Sequence, residues 1–137
     1  MTGELKKATE SALELINRYN NIYICSHIQP DGDSLGSILA LAMAIKKLKK
    51  KGNINVVKVD NIPSYFNFLP NIDIIEEKDV NQEVELFIAL DSSDKERLGI
   101  GAEFLSKAKA VINIDHHVTN EFFGDMYIHS LYFPVYL

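Results

Sequence analysis

Short runs of apolar residues alternate along the chain with longer segments in which apolar residues recur every three or four positions. The short runs are rich in β-branched residues and end at polar or turn-forming residues, which is typical of buried strands. They predict strands at residues 22–26, 54–59, 86–90 and 110–114, and a weaker strand at residues 72–75. Strands that are apolar on both faces indicate a parallel sheet covered by helices.

The longer segments predict amphipathic helices at residues 4–19, 35–51 and 101–109. A connector with one helical turn is expected at residues 63–70. The alternation of strand and helix predicts an α/β fold with three layers, α/β/α, around a mainly parallel, doubly wound sheet of the Rossmann-like kind.

Composition and charge exclude several classes of protein. The 137 residues suit one domain, and 47% apolar with 24% charged residues argue against disorder. A net charge of -5 argues against a broad basic surface for long double-stranded nucleic acid. Cys25 is the single cysteine, so no internal disulfide can form. The sequence shows no signal-like or membrane-spanning apolar segment, so we expect a cytoplasmic protein with no membrane partner.

Three polar clusters each follow a predicted strand, at residues 27–33, 91–94 and 115–117. Because ligands of an open parallel sheet bind beyond the carboxyl ends of its strands, we expect the three clusters to meet along one rim. Several acids would then crowd together and would have to take up protons or bind cations. The acids and imidazoles concerned are Asp31, Asp33, Asp91, Asp115, His27 and His116.

A mixture of carboxylates and imidazoles suits Mn²⁺, with Zn²⁺ or Fe²⁺ as alternatives, and carboxylates alone can hold Mg²⁺. The set exceeds what one tetrahedral zinc needs, so two ions about 3.5–4 Å apart fit better. Asp91, at the tip of a central strand, is the natural bridge between them. Singly, each residue has a simpler interpretation, since Asp33 or Ser34 could cap the following helix.

For other residues near the clusters, a structural interpretation competes with a functional one. Cys25 lies within a predicted strand and is expected to pack in the core. Arg97 either contacts a substrate phosphate or stays solvated. Asp94 is expected to act as a cap. Asn120 forms a turn, contacts the substrate, or supports a residue of the site.

The three clusters resemble the motifs of a known family. Residues 27–37, HIQPDGDSLGS, resemble the first motif of the DHH phosphoesterases, residues 91–94 resemble the second, and Asp115-His116-His117 resembles the signature that names the family. Residues 96–99, 119–120 and 123–125 are similar to the branch of bifunctional oligoribonucleases and PAP phosphatases, the NrnA type. The resemblance extends from about residue 5 to residue 125.

The resemblance implies a role for each residue of the motifs. The implied metal ligands are His27, Asp31, Asp33, Asp91 and His116. Asp91 bridges both ions, and it forms the catalytic set together with His116 and His117. His117 faces the substrate phosphate, and Asp115 supports the histidines from behind. Arg97 and Asn120 are further candidates for substrate contact, on the ground of their positions beside the clusters and not of the resemblance.

The activity implied is hydrolysis of a phosphate ester by water that two divalent ions activate, Mn²⁺ by preference and Mg²⁺ as an alternative. The implied substrates are short RNA oligonucleotides, cut from an end, and 3′-phosphoadenosine 5′-phosphate. A family II inorganic pyrophosphatase and a non-catalytic metal- or nucleotide-binding module are the alternatives. The oligomeric state is open, with a homodimer as one alternative.

The family has a fourth acidic motif and a C-terminal DHHA1 domain that grips the substrate, and neither is expected within residues 1–137. The last stretch, residues 129–137, is aromatic and β-prone, where the family usually continues toward Asp-Pro and a helix of small residues. We therefore expect an incomplete DHH domain that is weakly active or inactive by itself. A natural truncation, an engineered truncation and a frameshift remain open as explanations.

Overall fold

The centre of the structure is a parallel β-sheet, which a computed structural model describes within residues 3–49 and 51–129. Its strands are β1 (Asn21–Cys25), β2 (Asn53–Val57), β3 (Ile75–Glu76), β4 (Leu86–Leu90), β5 (Ala110–Asp115) and β6 (Met126–His129). They lie in the order β3-β2-β1-β4-β5-β6. Every neighbouring pair is parallel.

Helices cover both faces of the sheet. They are α1 (Gly3–Arg18), α2 (Gly32–Leu48) and α3 (Gly101–Lys107). Buried residues of α1 and α2, such as Ile16 and Leu39, join the larger apolar cluster on one face. On the other face, Phe104 of α3 is fully buried and stacks on Tyr23 of β1, with ring centroids 5.2 Å apart. The predicted three-layer α/β fold is therefore confirmed.

The direction of winding reverses between β1 and β4, which are neighbours in the middle of the sheet. The loops that leave the carboxyl ends of these two strands turn apart, and open α/β sheets bind ligands in the resulting crevice. Cys25 of β1 is aligned with Ala89 of β4, so the residues that follow both strands begin at the same level. The fold therefore places His27 and Asp91 on either side of the crevice.

The start of α2 differs from the prediction. The helix begins at Gly32 rather than at residue 35, and Asp31 is its N-cap. The Asp31 Oδ1 atom accepts from the Ser34 N–H at 2.8 Å, and the Ser34 Oγ accepts from the Asp31 N–H at 3.0 Å. These reciprocal bonds form a capping box, so assigning the cap to Asp33 or Ser34 is wrong.

Other boundaries differ by a few residues. The predicted helix at residues 35–51 ends at Leu48, and residue 50 lies outside the described residues. The predicted helix at residues 101–109 ends at Lys107. The predicted strand at residues 54–59 ends at Val57, and the helical turn expected in the connector is present at Ser64–Phe66.

The weak strand predicted at residues 72–75 is mostly wrong. Asn71 has a left-handed φ of 62° and precedes a 3₁₀ turn at Ile72–Ile74, so only Ile75–Glu76 pairs with β2. Conversely, β6 has no counterpart among the predicted strands. It is a short edge strand in which Tyr127 is exposed and the other three residues are partly buried, which weakens the apolar pattern. The aromatic stretch predicted at residues 129–137 lies outside the described residues beyond His129.

Among the helices of the described residues, none combines the length and the apolar character needed to span a membrane.

Two glycines offer a matched test of the packing around β1. A Cβ added at Gly101 would lie 2.8 Å from the buried Cys25 Sγ, whereas a Cβ added at Gly36 within α2 meets nothing within 4 Å. We expect Gly101→Ala to lower the free energy of unfolding by about 1–3 kcal/mol through overpacking. Gly36→Ala should raise it by about 0.5–1 kcal/mol, because alanine restricts the unfolded chain and suits a helix. Urea denaturation measures both changes in the free energy of unfolding, provided that the variants have the same m-value as the unaltered chain. A Gly101→Ala variant with an unchanged free energy of unfolding would contradict this packing.

Candidate metal centre

His27 follows β1 and presents one ring nitrogen to the backbone and the other to carboxylates. Its Nδ1 lies 2.6 Å from the carbonyl oxygen of Ile28, which can only accept, so Nδ1 carries the proton. Nε2 then faces Asp91 Oδ2 at 3.4 Å and Asp31 Oδ2 at 3.8 Å. Because His27 is only 4% exposed, water can do little to screen this approach.

Asp91 is the first residue after β4 and has a left-handed backbone conformation, with φ 57°. Non-glycine residues keep such conformations only where their surroundings hold them. Here the Asp91 N–H donates to the Ile114 carbonyl oxygen at 2.9 Å, which ties the turn to β5. Asp91 is 6% exposed, and its Oδ1 lies 2.9 Å from His116 Nε2. One buried carboxylate therefore has the imidazole of His27 on one oxygen and that of His116 on the other.

The first turn of α2 brings two more carboxylates to the rim. The Oδ1 atom of Asp31 accepts the hydrogen bond of the helix cap, and its Oδ2 atom faces His27. Asp33 Oδ2 lies 3.3 Å from His116 Nε2, and the Ser37 hydroxyl donates to Asp33 Oδ1 at 3.4 Å. Both acids are more exposed than Asp91, so they form the open side of the cluster.

The electrostatics of the cluster favour positive charge. The hydrogen bond with Asp91 raises the pKa of His27, against burial, which lowers it. Burial raises the pKa of Asp31, but hydrogen bonds from Ser34 and the nearby His27 outweigh burial and leave this pKa below its usual value. The acid therefore stays ionised, and a proton or another cation is favoured between imidazole and carboxylate.

The described residues include two groups of donor atoms that could hold a cation, and within each group the atoms lie within 4.8 Å of one another. One group is His27, Asp31 and Asp91, and the other is Asp91, Asp115, His116 and His117. Donors of a divalent ion at about 2.1 Å lie roughly 3 Å from each other, which is close to the spacing of His116 Nε2 from Asp91. The residues therefore fit divalent cations, and Asp91 belongs to both groups. The predicted ligand Asp33 belongs to neither group, and its contact with the cluster is with His116.

Behind the DHH residues lies a buried hydrogen-bonded network. His117 Nδ1 lies 2.6 Å from Asp115 Oδ1, and the Asn120 Nδ2 donates to Asp115 Oδ2 at 2.7 Å. Burial raises the pKa of Asp115, but the bonds from Asn120 and His117 outweigh burial and lower it overall. Asn120 is 8% exposed, so the structure places it behind the site and not on the surface where a substrate would lie.

Arg97 and Asp94 lie in the loop after the second motif. The Asp94 Oδ1 accepts from the Arg97 N–H at 2.9 Å, a bond like that of a cap, although the N-cap of the 3₁₀ turn Glu96–Leu98 is Lys95. The Arg97 carbonyl oxygen accepts from the Ile28 N–H at 2.7 Å, so this loop is bonded to the first motif. A phosphate contact by the half-buried Arg97 side chain stays a prediction.

Sequence reasoning missed three polar residues near the site. Asn113 is fully buried in β5, and its position within an apolar strand was a usable signal. Asp60 follows β2 as the other acids follow their strands, and its Oδ2 accepts from the Gln29 N–H at 2.8 Å. The Nε2 of His129 donates to the His117 carbonyl oxygen at 2.6 Å, and no sequence signal announced this contact.

Comparison with known proteins identifies the family. A sequence model described as the DHH family, N-terminal domain, matches residues 21–133, which include all three motifs. The chain belongs to the DHH family. The predicted resemblance is therefore confirmed, and the cluster around Asp91 is the rim of a DHH domain.

Named relatives of this DHH domain are similar over most of its length. The chain is 37% identical over 114 residues to the bifunctional oligoribonuclease and PAP phosphatase NrnA of Thermus thermophilus, covering 78% of this chain and 31% of the relative. It is 33% identical over 115 residues to the protein of the same description from Mycoplasma genitalium, covering 82% and 35%. The chain thus spans about a third of the length of these curated relatives.

A solved structure shares the fold. An exopolyphosphatase-related protein from Bacteroides fragilis superposes with a TM-score of 0.80, at 24% identity, over 92% of this chain and 39% of that one. At this identity the likeness concerns the fold alone.

Removal of one carboxylate tests the predicted cation site of the DHH domain. We expect Asp91→Asn to weaken Mn²⁺ binding strongly, because Asp91 belongs to both donor groups. Asp73→Asn, an exposed acid of the Ile72–Ile74 turn, should leave binding unchanged. Titration followed by the Mn²⁺ paramagnetic resonance signal measures the affinity.

Unfolding in the same samples gives a second readout of Mn²⁺ binding. Mn²⁺ at about 100 times its Kd should stabilise the unaltered chain by about 2.7 kcal/mol. Equal binding by Asp91→Asn and the unaltered chain would contradict the site.

Proposed function

We propose that this chain carries the metal-binding half of a phosphoesterase that cleaves short oligoribonucleotides, 3′-phosphoadenosine 5′-phosphate, or both. The observation that supports it best is the buried Asp91 carboxylate, with His27 on one oxygen and His116 on the other. A carboxylate in this position suits a bridge between two cations. Membership of the DHH family and the descriptions of the relatives point to the same class of reaction.

The residues that would hold the ions are the predicted ligands His27, Asp31, Asp33, Asp91 and His116. When bound, two divalent ions, Mn²⁺ by preference, supply Lewis acidity that eases the deprotonation of water and offsets charge on the phosphoryl oxygens. The imidazole and carboxylate donors suit this choice, and carboxylates alone also accept Mg²⁺. Asp91 links the two groups of donor atoms because it belongs to both.

His117 is proposed to face the substrate phosphate. Its Nδ1 is taken up by Asp115, so Nε2 is the nitrogen left to meet a ligand. The side chain is 40% exposed, in contrast to the buried His27, so a substrate can reach it. The amino end of α2 adds a positive dipole end on the same rim, which favours a phosphate there. Arg97 is proposed as a further phosphate contact from the neighbouring loop.

The proposed substrates come from the descriptions of the relatives, which name oligoribonuclease and PAP phosphatase activities. Those relatives are about three times as long as the part that matches, so we infer that the active enzyme adds further structure to this DHH domain. We propose a DHHA1 domain and a fourth acidic motif for that part, and a cytoplasmic location for the enzyme. The net charge of -5 suits small phosphorylated substrates better than long nucleic acid.

Single-turnover hydrolysis tests the role of Asp91. With protein in excess over a labelled RNA dinucleotide, we expect weak or absent Mn²⁺-dependent cleavage by the 137-residue chain. Cleavage should be faster when the chain is fused to the part of the Thermus thermophilus relative that lies beyond the matched region. Asp91→Asn should slow cleavage by the fused protein by about 100-fold or more, since electrostatic stabilisation of the transition state is lost.

Asp73→Asn serves as the control for this assay and should cleave at the unaltered rate. Persistence of Mn²⁺-dependent cleavage after Asp91→Asn would rule out the bridging role. A fused protein that cleaves nothing under conditions in which the Thermus thermophilus relative is active would rule out the proposed function.

Substrate choice separates the proposal from a family II pyrophosphatase. The fused protein is offered an RNA dinucleotide, 3′-phosphoadenosine 5′-phosphate and inorganic pyrophosphate at equal concentration. We expect the first two to be cleaved with a kcat/KM at least about tenfold higher than that for pyrophosphate, a difference of about 1.4 kcal/mol in transition-state binding. A preference for pyrophosphate would favour the alternative.

A further inference from the structure

Two buried amides lie directly behind the DHH residues. Asn113 is in the middle of β5 and fully buried, and Asn120 lies in the loop before β6 at 8% exposure. The Asn120 Nδ2 donates to Asn113 Oδ1 at 2.8 Å and to Asp115 Oδ2 at 2.7 Å. Its Oδ1 accepts from the Phe122 N–H at 2.6 Å. Both donor hydrogens and the oxygen of the Asn120 amide are therefore engaged within the protein.

The chemistry of the partners allows one orientation of each amide. A backbone N–H can only donate, so the atom of Asn120 that faces Phe122 must be the oxygen. The Asp115 carboxylate oxygen is an acceptor, so the atom that faces it is the nitrogen. Asn113 in turn directs Nδ2 to the carbonyl oxygen of Ser92 at 3.1 Å, which leaves its oxygen for Asn120. The donor and the acceptor of every hydrogen bond in this network are therefore assigned.

The same reasoning extends to the imidazole of His117. One oxygen of Asp115 is bonded to Asn120, and the other lies 2.6 Å from His117 Nδ1. A carboxylate oxygen at this distance accepts a hydrogen bond from the ring, so the proton is placed on Nδ1 of His117. A carboxylate behind an imidazole fixes both the tautomer and the orientation of the ring.

The network also joins two loops that carry the site. Ser92 directly follows Asp91, and its carbonyl oxygen receives the bond from Asn113. The Glu121 N–H donates to the Ser93 carbonyl oxygen at 2.7 Å, so the loop after the DHH residues is bonded to the second motif at a second point. A displacement of Asn120 would therefore change the position of Asp91 as well as that of His117.

We propose that Asn120 is a positioning residue, which acts through Asp115 to fix the ring and tautomer of His117 and through Asn113 to tie the loop after the DHH residues to the Asp91 loop. The inference rests on the proposed function, because it supposes that His117 meets the substrate phosphate. Its geometry is independent of any substrate, since every bond in it lies within the chain. Asn120 itself is turned away from the rim and touches no reacting atom in this scheme.

The competing explanation is that Asn120 only stabilises a turn. Phe122 has a left-handed φ of 51°, and its N–H bond to Asn120 would help to hold that turn. This explanation predicts a loss of stability when Asn120 is replaced, with no change in the His117 ring. The tautomer of His117 therefore separates the two explanations, whereas stability alone does not.

The first test needs no substitution. The sequence has four histidines, so long-range ¹H–¹⁵N NMR spectra of the metal-free chain contain four imidazoles, which His→Gln variants assign. Spectra are recorded at a pH at which the rings are neutral. We expect His117 to show a protonated Nδ1 and a bare Nε2. A protonated Nε2 on His117 in the unaltered chain would overturn the proposal.

The second test replaces Asn120 and a matched amide. Asn120→Leu removes every bond of the amide, and Asn120→Ser, with a small side chain that retains a hydroxyl, repeats the measurement at less risk to folding. Asn55→Leu is the control, because Asn55 is a partly buried amide in β2 whose bonds of 3.3–3.4 Å lie away from the DHH residues. We expect the ¹⁵N shifts of His117 to move toward a tautomer mixture in the Asn120 variants and to stay unchanged in Asn55→Leu.

Mn²⁺ affinity provides an independent readout. Asn120 supports the loop of the ligand Asp91 through Asn113 and the Ser92 carbonyl. Because loss of a residue that supports a ligand typically weakens metal binding by about 10–100-fold, we expect about tenfold weaker binding for Asn120→Leu. A folded Asn120 variant with unaltered His117 shifts and unaltered Mn²⁺ affinity would overturn the proposal, as would equal changes in Asn55→Leu. Absence of phosphate-ester cleavage in every assay would remove the proposed function and leave the tautomer result standing, so the two failures can be told apart.

Discussion

A buried carboxylate must be matched by positive charge, and in this chain the carboxylate of Asp91 is buried between two imidazoles. The two rings arrive from opposite directions, since His27 follows β1 and His116 follows β5. Their convergence requires β1, β4 and β5 to be neighbours with matched ends, which the parallel pairing provides. The need to match one buried charge therefore links the strand order to the chemistry of the rim.

The apolar layers make this arrangement rigid. β4 is buried along its whole length, and helices pack on both faces of the sheet, so the strand ends have little freedom to separate. Behind the rim, hydrogen bonds hold the side chains of Asn113 and Asn120 in place, with each donor facing an acceptor. A site supported by packed strands and satisfied hydrogen bonds holds its groups more closely than one built on loops alone.

The family and the fold carry different amounts of information about function. The fold is shared with an exopolyphosphatase-related protein at 24% identity, and a fold by itself hosts many reactions. The DHH motifs restrict the chemistry further, because they place carboxylates and imidazoles where cations can be shared. Choice of substrate depends on surfaces beyond the rim, and the relatives that suggest oligoribonucleotides are about three times as long as the matched region.

The sequence by itself determined the strands β1, β2, β4 and β5 and the meeting of three polar clusters, because continuous apolar runs must be buried and parallel strands end at one edge. Local hydrogen bonds decided that Asp31 and not Asp33 caps α2, and contact with β5 decided that residues 126–129 form a strand. The partners of Asn113 also depended on tertiary structure, since Ser92 and Asn120 lie 21 and 7 residues away along the chain. A sequence shows that a polar residue lies in an apolar strand, but only the folded chain brings together the donor and acceptor that satisfy it.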